Sequence, residues 1–145
     1  MRFKWAAVVV AAILVLGGGY VAMAQEEISP EVQKLVDDGL IKKVTPEEVN
    51  GMIGQGEAGA VVDVRTAEEY GAGRLPGAIS VPSDALEAKI AEAVADKAAA
   101  VCVYGASGAA GATAAAQLYA LGYTAVSYMD GGYAAWTAAG YPVEQ

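Results

Sequence analysis

Ala60-Val61-Val62-Asp63-Val64-Arg65-Thr66-Ala67-Glu68-Glu69-Tyr70 is the stretch that decides the fold. Its first half is a short apolar run bounded by turn residues, the pattern of a strand buried on both faces of a parallel sheet. Its second half, Thr66-Ala67-Glu68-Glu69, is a capping box: a hydroxyl at the cap and a carboxylate three residues on satisfy the first free amides of a helix. A buried strand running straight into a capped helix is the repeating unit of an α/β domain.

Further elements follow on both sides. Ala78-Ile79-Ser80-Val81, residues 99 to 104 and Ala125-Val126-Ser127-Tyr128-Met129 read as strands. Helices are predicted from about Asp84 to Val94, Ser107 to Leu121 and Tyr133 to Ala138. Upstream, Thr45-Pro46-Glu47-Glu48 marks another helix start, and Gly51, Gly54 and Gly56 mark its end. Strands alternating with helices predict one α/β domain over residues 43 to 145, a parallel sheet with helices on both faces. Val32, Leu35, Val36, Leu40 and Ile41 fall near helical period, so residues 25 to 42 are expected to form a helical lead-in.

Composition narrows the chemistry. Seventeen acidic against nine basic residues give a net charge of -8, and no run of lysine and arginine offers a track for phosphates, which excludes nucleic acid as a partner. Histidine is absent and there is one cysteine, so neither a zinc cluster, nor a disulfide framework, nor a histidine base is expected. No metal and no cofactor is called for.

Residues 1 to 24 carry Arg2 and Lys4, an uncharged run from Trp5, three glycines at 17 to 19, and Ala22-Met23-Ala24. This order reads as a secretory signal peptide cleaved after Ala24. Trp5 to Ala24 is also 20 residues without a charge, about what a helix needs to cross a bilayer. Both readings place the domain outside the cytoplasm, either periplasmic or secreted, or anchored in the inner membrane, and only an uncleaved segment implies membrane contact. Cleavage would take two positive charges from a net of -8, leaving -10.

Four segments together resemble the rhodanese family: Val61-Val62-Asp63-Val64-Arg65 with Glu68-Glu69-Tyr70; Gly73-Arg74-Leu75-Pro76-Gly77-Ala78-Ile79; the strand and glycine loop at 103 to 111; and Gly131-Gly132-Tyr133-Ala134-Ala135-Trp136. The resemblance covers about residues 43 to 145. Within these segments Asp63 is expected at a strand end and Arg65 within reach of Glu68 or Glu69, one turn into the next helix, both as scaffold. Trp136 is expected in the core, since an indole buries a large area wherever it packs, and Arg74 is expected on the surface, where the resemblance implies histidine in relatives. In rhodaneses the loop after the central strand carries a cysteine, surrounded by the amides of a helix N-terminus that stabilise its thiolate and persulfide. Laid on that motif, the loop Gly105, Ala106, Ser107, Gly108, Ala109, Ala110 and Gly111 has glycine at the cysteine position. Ala106 and Ala110 stand where active members often have basic residues.

Cys102 lies three residues before Gly105, about 10 Å short of the loop at roughly 3.3 Å per strand residue, and is expected in the core. Ser107 has no histidine to activate it and is expected to cap a helix. The implied function is an exported, non-catalytic binding or interaction module, for an unknown protein partner or a small anion held weakly by the loop amides. The alternative is a thiosulfate or persulfide sulfurtransferase using Cys102.

Overall fold

The computed structural model describes residues 28–145. The elements run α1 (Pro30–Asp37), β1 (Ile41–Val44), α2 (Pro46–Gly54), β2 (Ala60–Asp63), α3 (Ala67–Ala72), β3 (Ile79–Ser80), a 3-10 turn (Ser83–Ala85), α4 (Leu86–Ala93), β4 (Ala100–Tyr104), α5 (Gly108–Ala120), β5 (Ala125–Met129) and α6 (Gly132–Ala138). All strand pairs are parallel, in the order β1-β5-β4-β2-β3, which places β4 at the centre. The α/β reading therefore holds, and both capping boxes form. Thr45 accepts from the Glu48 amide while Glu48 accepts from the Thr45 amide, and Thr66 and Glu69 repeat the exchange.

Residues on the two faces of β2, β4 and β5 feed two cores. Val62, Val101, Val103, Val126 and Tyr128 pack with Leu86 and Ile90 of α4 and with Ala112, Ala115 and Leu118 of α5. Val61, Cys102, Tyr104 and Met129 pack on the opposite face with Val49 of α2 and Trp136 of α6. Burial of each large side chain contributes about 1.5–3 kcal/mol. The buried alanines of α5 let that helix lie close to the sheet, and three residues, ending in its cap Ser107, join it to β4.

The lead-in differs from expectation. Its helix ends at Asp37, Gly39 takes φ 78°, and Ile41 opens a strand instead of continuing the helix. The strand escaped the pattern because Lys42 and Lys43, both exposed, separate its two buried residues Ile41 and Val44, so neither a period of 2 nor an unbroken apolar run is present. Lysines on an edge strand also discourage pairing with a second chain. This strand spans the 42/43 division drawn from the sequence. The signal-peptide and anchor readings of residues 1 to 24, and the first residues of the lead-in, lie outside the described residues. Among the described residues no helix is long and apolar enough to cross a membrane.

Candidate functional site

The last residue of β4, Tyr104, is followed by a three-residue turn and then α5. Ser107 caps the helix as expected: its hydroxyl accepts from the Ala110 amide at 3.3 Å, and its carbonyl accepts from the Gly111 amide at 3.3 Å. Two amides of the expected anion cradle are thus engaged within the loop. The loop leans on the start of α6, where the Tyr133 amide donates to the Gly105 carbonyl at 2.8 Å. Gly132 permits this approach: it has φ 65°, and a Cβ there would stand 2.7 Å from Gly105 O and from the carbonyl carbons of Ala106 and Ser107. The space at Gly105 is also filled, since a Cβ there would meet the Ala110 Cβ at 2.6 Å and the Gly111 amide nitrogen at 3.3 Å. Asp130 adds a carboxylate beside the loop, with Oδ1 3.5 Å from where a Gly108 Cβ would be.

Beneath the loop lies a buried ion pair. Asp63 is 0% and Arg65 7% exposed. Arg65 Nη2 donates to Asp63 Oδ2 at 2.7 Å and to the Gly73 carbonyl at 2.6 Å, and the Arg65 amide donates to Asp63 Oδ1 at 2.9 Å. Tyr104 donates its hydroxyl to Asp63 Oδ2 at 2.6 Å and accepts from the Leu75 amide at 3.2 Å. The Tyr133 ring covers the guanidinium, 3.9 Å from Arg65 Cζ to the ring centroid. Burial works against the Arg65 charge, but the adjacent Asp63 carboxylate outweighs it and the pKa stands above its ordinary value. Burial, then Asp63, push the Tyr104 hydroxyl pKa well up, so it remains a donor at neutral pH.

Local spacing led Arg65 toward Glu68 or Glu69, one turn into the next helix. The structure corrects this: Glu69 is occupied capping Thr66, and Arg65 turns inward because Asp63 and the Gly73 carbonyl offer it buried acceptors. Arg74 lies half-buried at the surface. Its guanidinium lies 4.5 Å from the Tyr70 ring centroid, and its backbone forms a two-way bridge with Glu144. Trp136 is core as expected, 0% exposed, with Nε1 donating to the Pro142 carbonyl at 2.8 Å.

The profile of the rhodanese-like domain family matches residues 45–139. The chain belongs to the rhodanese-like family. It is 32% identical over 103 residues to a thiosulfate sulfurtransferase, GlpE, of Pseudomonas savastanoi, covering 71% of this chain and 92% of that relative. It is 29% identical over 104 residues to a sulfurtransferase of Allochromatium vinosum, covering 72% of this chain and 95% of the relative. Among solved structures it resembles the rhodanese-like domain of an Anabaena protein, with TM-score 0.65, 31% identity, and coverage of 70% and 77%. It also resembles a thiosulfate sulfurtransferase of Pseudomonas aeruginosa, with TM-score 0.68 and 25% identity, over 79% of this chain but only 22% of that one.

Within this rhodanese-like domain, the one cysteine of the chain is remote from the loop surface. Cys102 is 2% exposed among Val61, Tyr104 and Met129, and burial pushes its thiol pKa up to about 11, a hydrogen bond with Ser127 only partly opposing the rise. The sequence thus pointed to Asp63, Arg65, the loop and the core cysteine. It missed Tyr104, Tyr133 and the Gly73 carbonyl, which complete the network under the loop. Tyr104 carried one faint signal, a polar atom at the inward end of a central apolar strand, where a buried hydroxyl needs a partner.

Proposed function

We propose that this chain is a rhodanese-like binding module that does not transfer sulfur. One observation carries the reading. The only cysteine of the chain is sealed in the core with a raised pKa; the reading is supported by Gly105, which the resemblance sets at the family's cysteine position and whose Cβ space is taken by Ala110. A thiolate nucleophile needs access and a lowered pKa, and Cys102 has neither. The anion cradle implied by the resemblance is weak: the Ala110 and Gly111 amides already have acceptors, and Asp130 repels an incoming anion.

The names of the curated relatives favour the other reading, a sulfurtransferase, and in this sequence Cys102 is the one thiol that could serve it. Thiocyanate formation from thiosulfate and cyanide separates the two. The expected result is no turnover above buffer, unchanged in Cys102→Ala. Turnover that disappears in Cys102→Ala overturns the module reading. The proposed site of action is outside the cytoplasm, on the strength of the N-terminal pattern, and intact-mass analysis of protein recovered from bacterial cells tests it, with cleavage after Ala24 expected.

A further inference from the structure

A trough runs along one flank of α5, beginning beside the loop. Its upper part, about 340 Å³, lies between Ala109, Ala110, Thr113 and Gln117 on the helix and Ser83 and Asp84 opposite. Its lower part, about 290 Å³, shares Ser83, Asp84 and Gln117 and adds Glu87, Ala120 and Leu121. The shared residues make the two parts continuous. From Ala109 to Leu121 a helix rises about 18 Å, the length of roughly five residues of extended peptide.

The two walls differ in a way that selects an occupant. The α5 wall carries no charge from Gly108 to Ala120 and offers flat alanine surface, with the Thr113 hydroxyl and the Gln117 amide as its polar groups. The opposite wall carries Asp84 and Glu87, and neither carboxylate has a hydrogen-bond or ion-pair partner among the described residues. No lysine or arginine lines either part. Lys97 bounds the far end, where its Nζ donates to the carbonyl of the lining residue Leu121 at 2.6 Å, so the acidic part of the trough is the stretch around Asp84 and Glu87.

We propose that this trough docks an extended, basic polypeptide segment. The aliphatic stems of its lysines or arginines lie on the alanine surface, and their heads reach Asp84 and Glu87. Ser83, Thr113 and Gln117 offer hydrogen bonds to its backbone. A second copy of this chain does not suit the trough, because two molecules of net charge -8 repel each other, whereas the same charge draws a cationic partner in. The proposal rests on the binding-module reading and names the partner's chemistry.

The test uses the full chain and a rhodamine-labelled peptide Ala-Lys-Ala-Arg-Ala-Lys, read by fluorescence anisotropy against an equal-length Ala-Glu repeat. Only the basic peptide is expected to bind, and less tightly as salt rises. The double variant Asp84→Asn with Glu87→Gln keeps the shape of the trough and should weaken binding about 3- to 10-fold. Glu31→Gln with Glu47→Gln removes the same charge elsewhere and should change it less than about 2-fold. Thr113→Arg should abolish binding, with circular dichroism confirming that the variant is folded. Failure of the basic peptide to bind, or equal weakening by both double variants, overturns the proposal. Because thiocyanate formation is measured separately, sulfur transfer alongside Asp84- and Glu87-dependent binding would sink the non-catalytic reading and leave the trough standing.

Discussion

Tyr104 donates its hydroxyl to Asp63 Oδ2 across 2.6 Å, joining β4 to β2 one residue before the Gly105 loop. The same carboxylate holds Arg65, and Arg65 lies under the ring of Tyr133, whose amide in turn holds the Gly105 carbonyl. A buried charge pair thus supports the loop from below through one aromatic ring.

Breaking this network should cost stability in proportion to the charge left unpaired. Tyr104→Phe removes one donor from a buried carboxylate and should cost about 1–3 kcal/mol. Asp63→Asn leaves the Arg65 guanidinium buried without its counter-charge and should cost about 3–5 kcal/mol. Urea unfolding measures both, and equal losses would contradict the ordering.

Replacing Gly132 by Ala should destabilise the domain by about 2–4 kcal/mol, since φ 65° strains any L side chain and the new methyl would meet three backbone atoms of the loop at 2.7 Å. A shift of the urea midpoint by less than a quarter of that would mean that the loop yields easily.

Placing a thiol in the loop should need two changes. Gly105→Cys alone drives its Cβ into Ala110, so it should lose about 1–3 kcal/mol and show little thiocyanate formation. Adding Ala110→Gly removes the 2.6 Å contact and should recover stability and raise any activity. Adding Ala110→Arg keeps the obstructing Cβ and should not help. Full activity from the single variant would mean that the loop reopens without cost.

Alkaline pH should destabilise the protein through Cys102. Its thiol pKa rises from 9.0 to about 11 on folding, chiefly by burial. Above pH 9 the unfolded chain loses this proton while the folded one keeps it. The stabilisation is therefore complete below pH 9 and lost as pH climbs to 11, about 2–3 kcal/mol in all. Tyr104 and Tyr128, both also raised by burial, add to the loss at higher pH. Cys102→Ala should flatten the slope between pH 9 and 11, as read from urea midpoints. Thiol reagents should label Cys102 slowly in the native protein and rapidly in urea.

The residues of 60 to 70 by themselves determined the strand, the capped helix and, with the other three segments, the family, because periodicity, capping and turn chemistry act over a few residues of chain. Burial of Cys102 and capping by Ser107 were legible for the same reason, each following from a neighbour within three or four positions. Strand β1 was not, because Lys42 and Lys43 hide its pairing with β5, whose residues lie more than eighty positions away. Tertiary structure alone decided where Arg65 points: the local choice was Glu68 or Glu69, but burial rewards a carboxylate and a carbonyl that desolvation leaves in need of a donor. It alone also decided that Ala110 fills the space over Gly105 and that Asp84 and Glu87 face an uncharged helix across an open trough. Those relations depend on how separate elements pack, and no spacing along the chain encodes them.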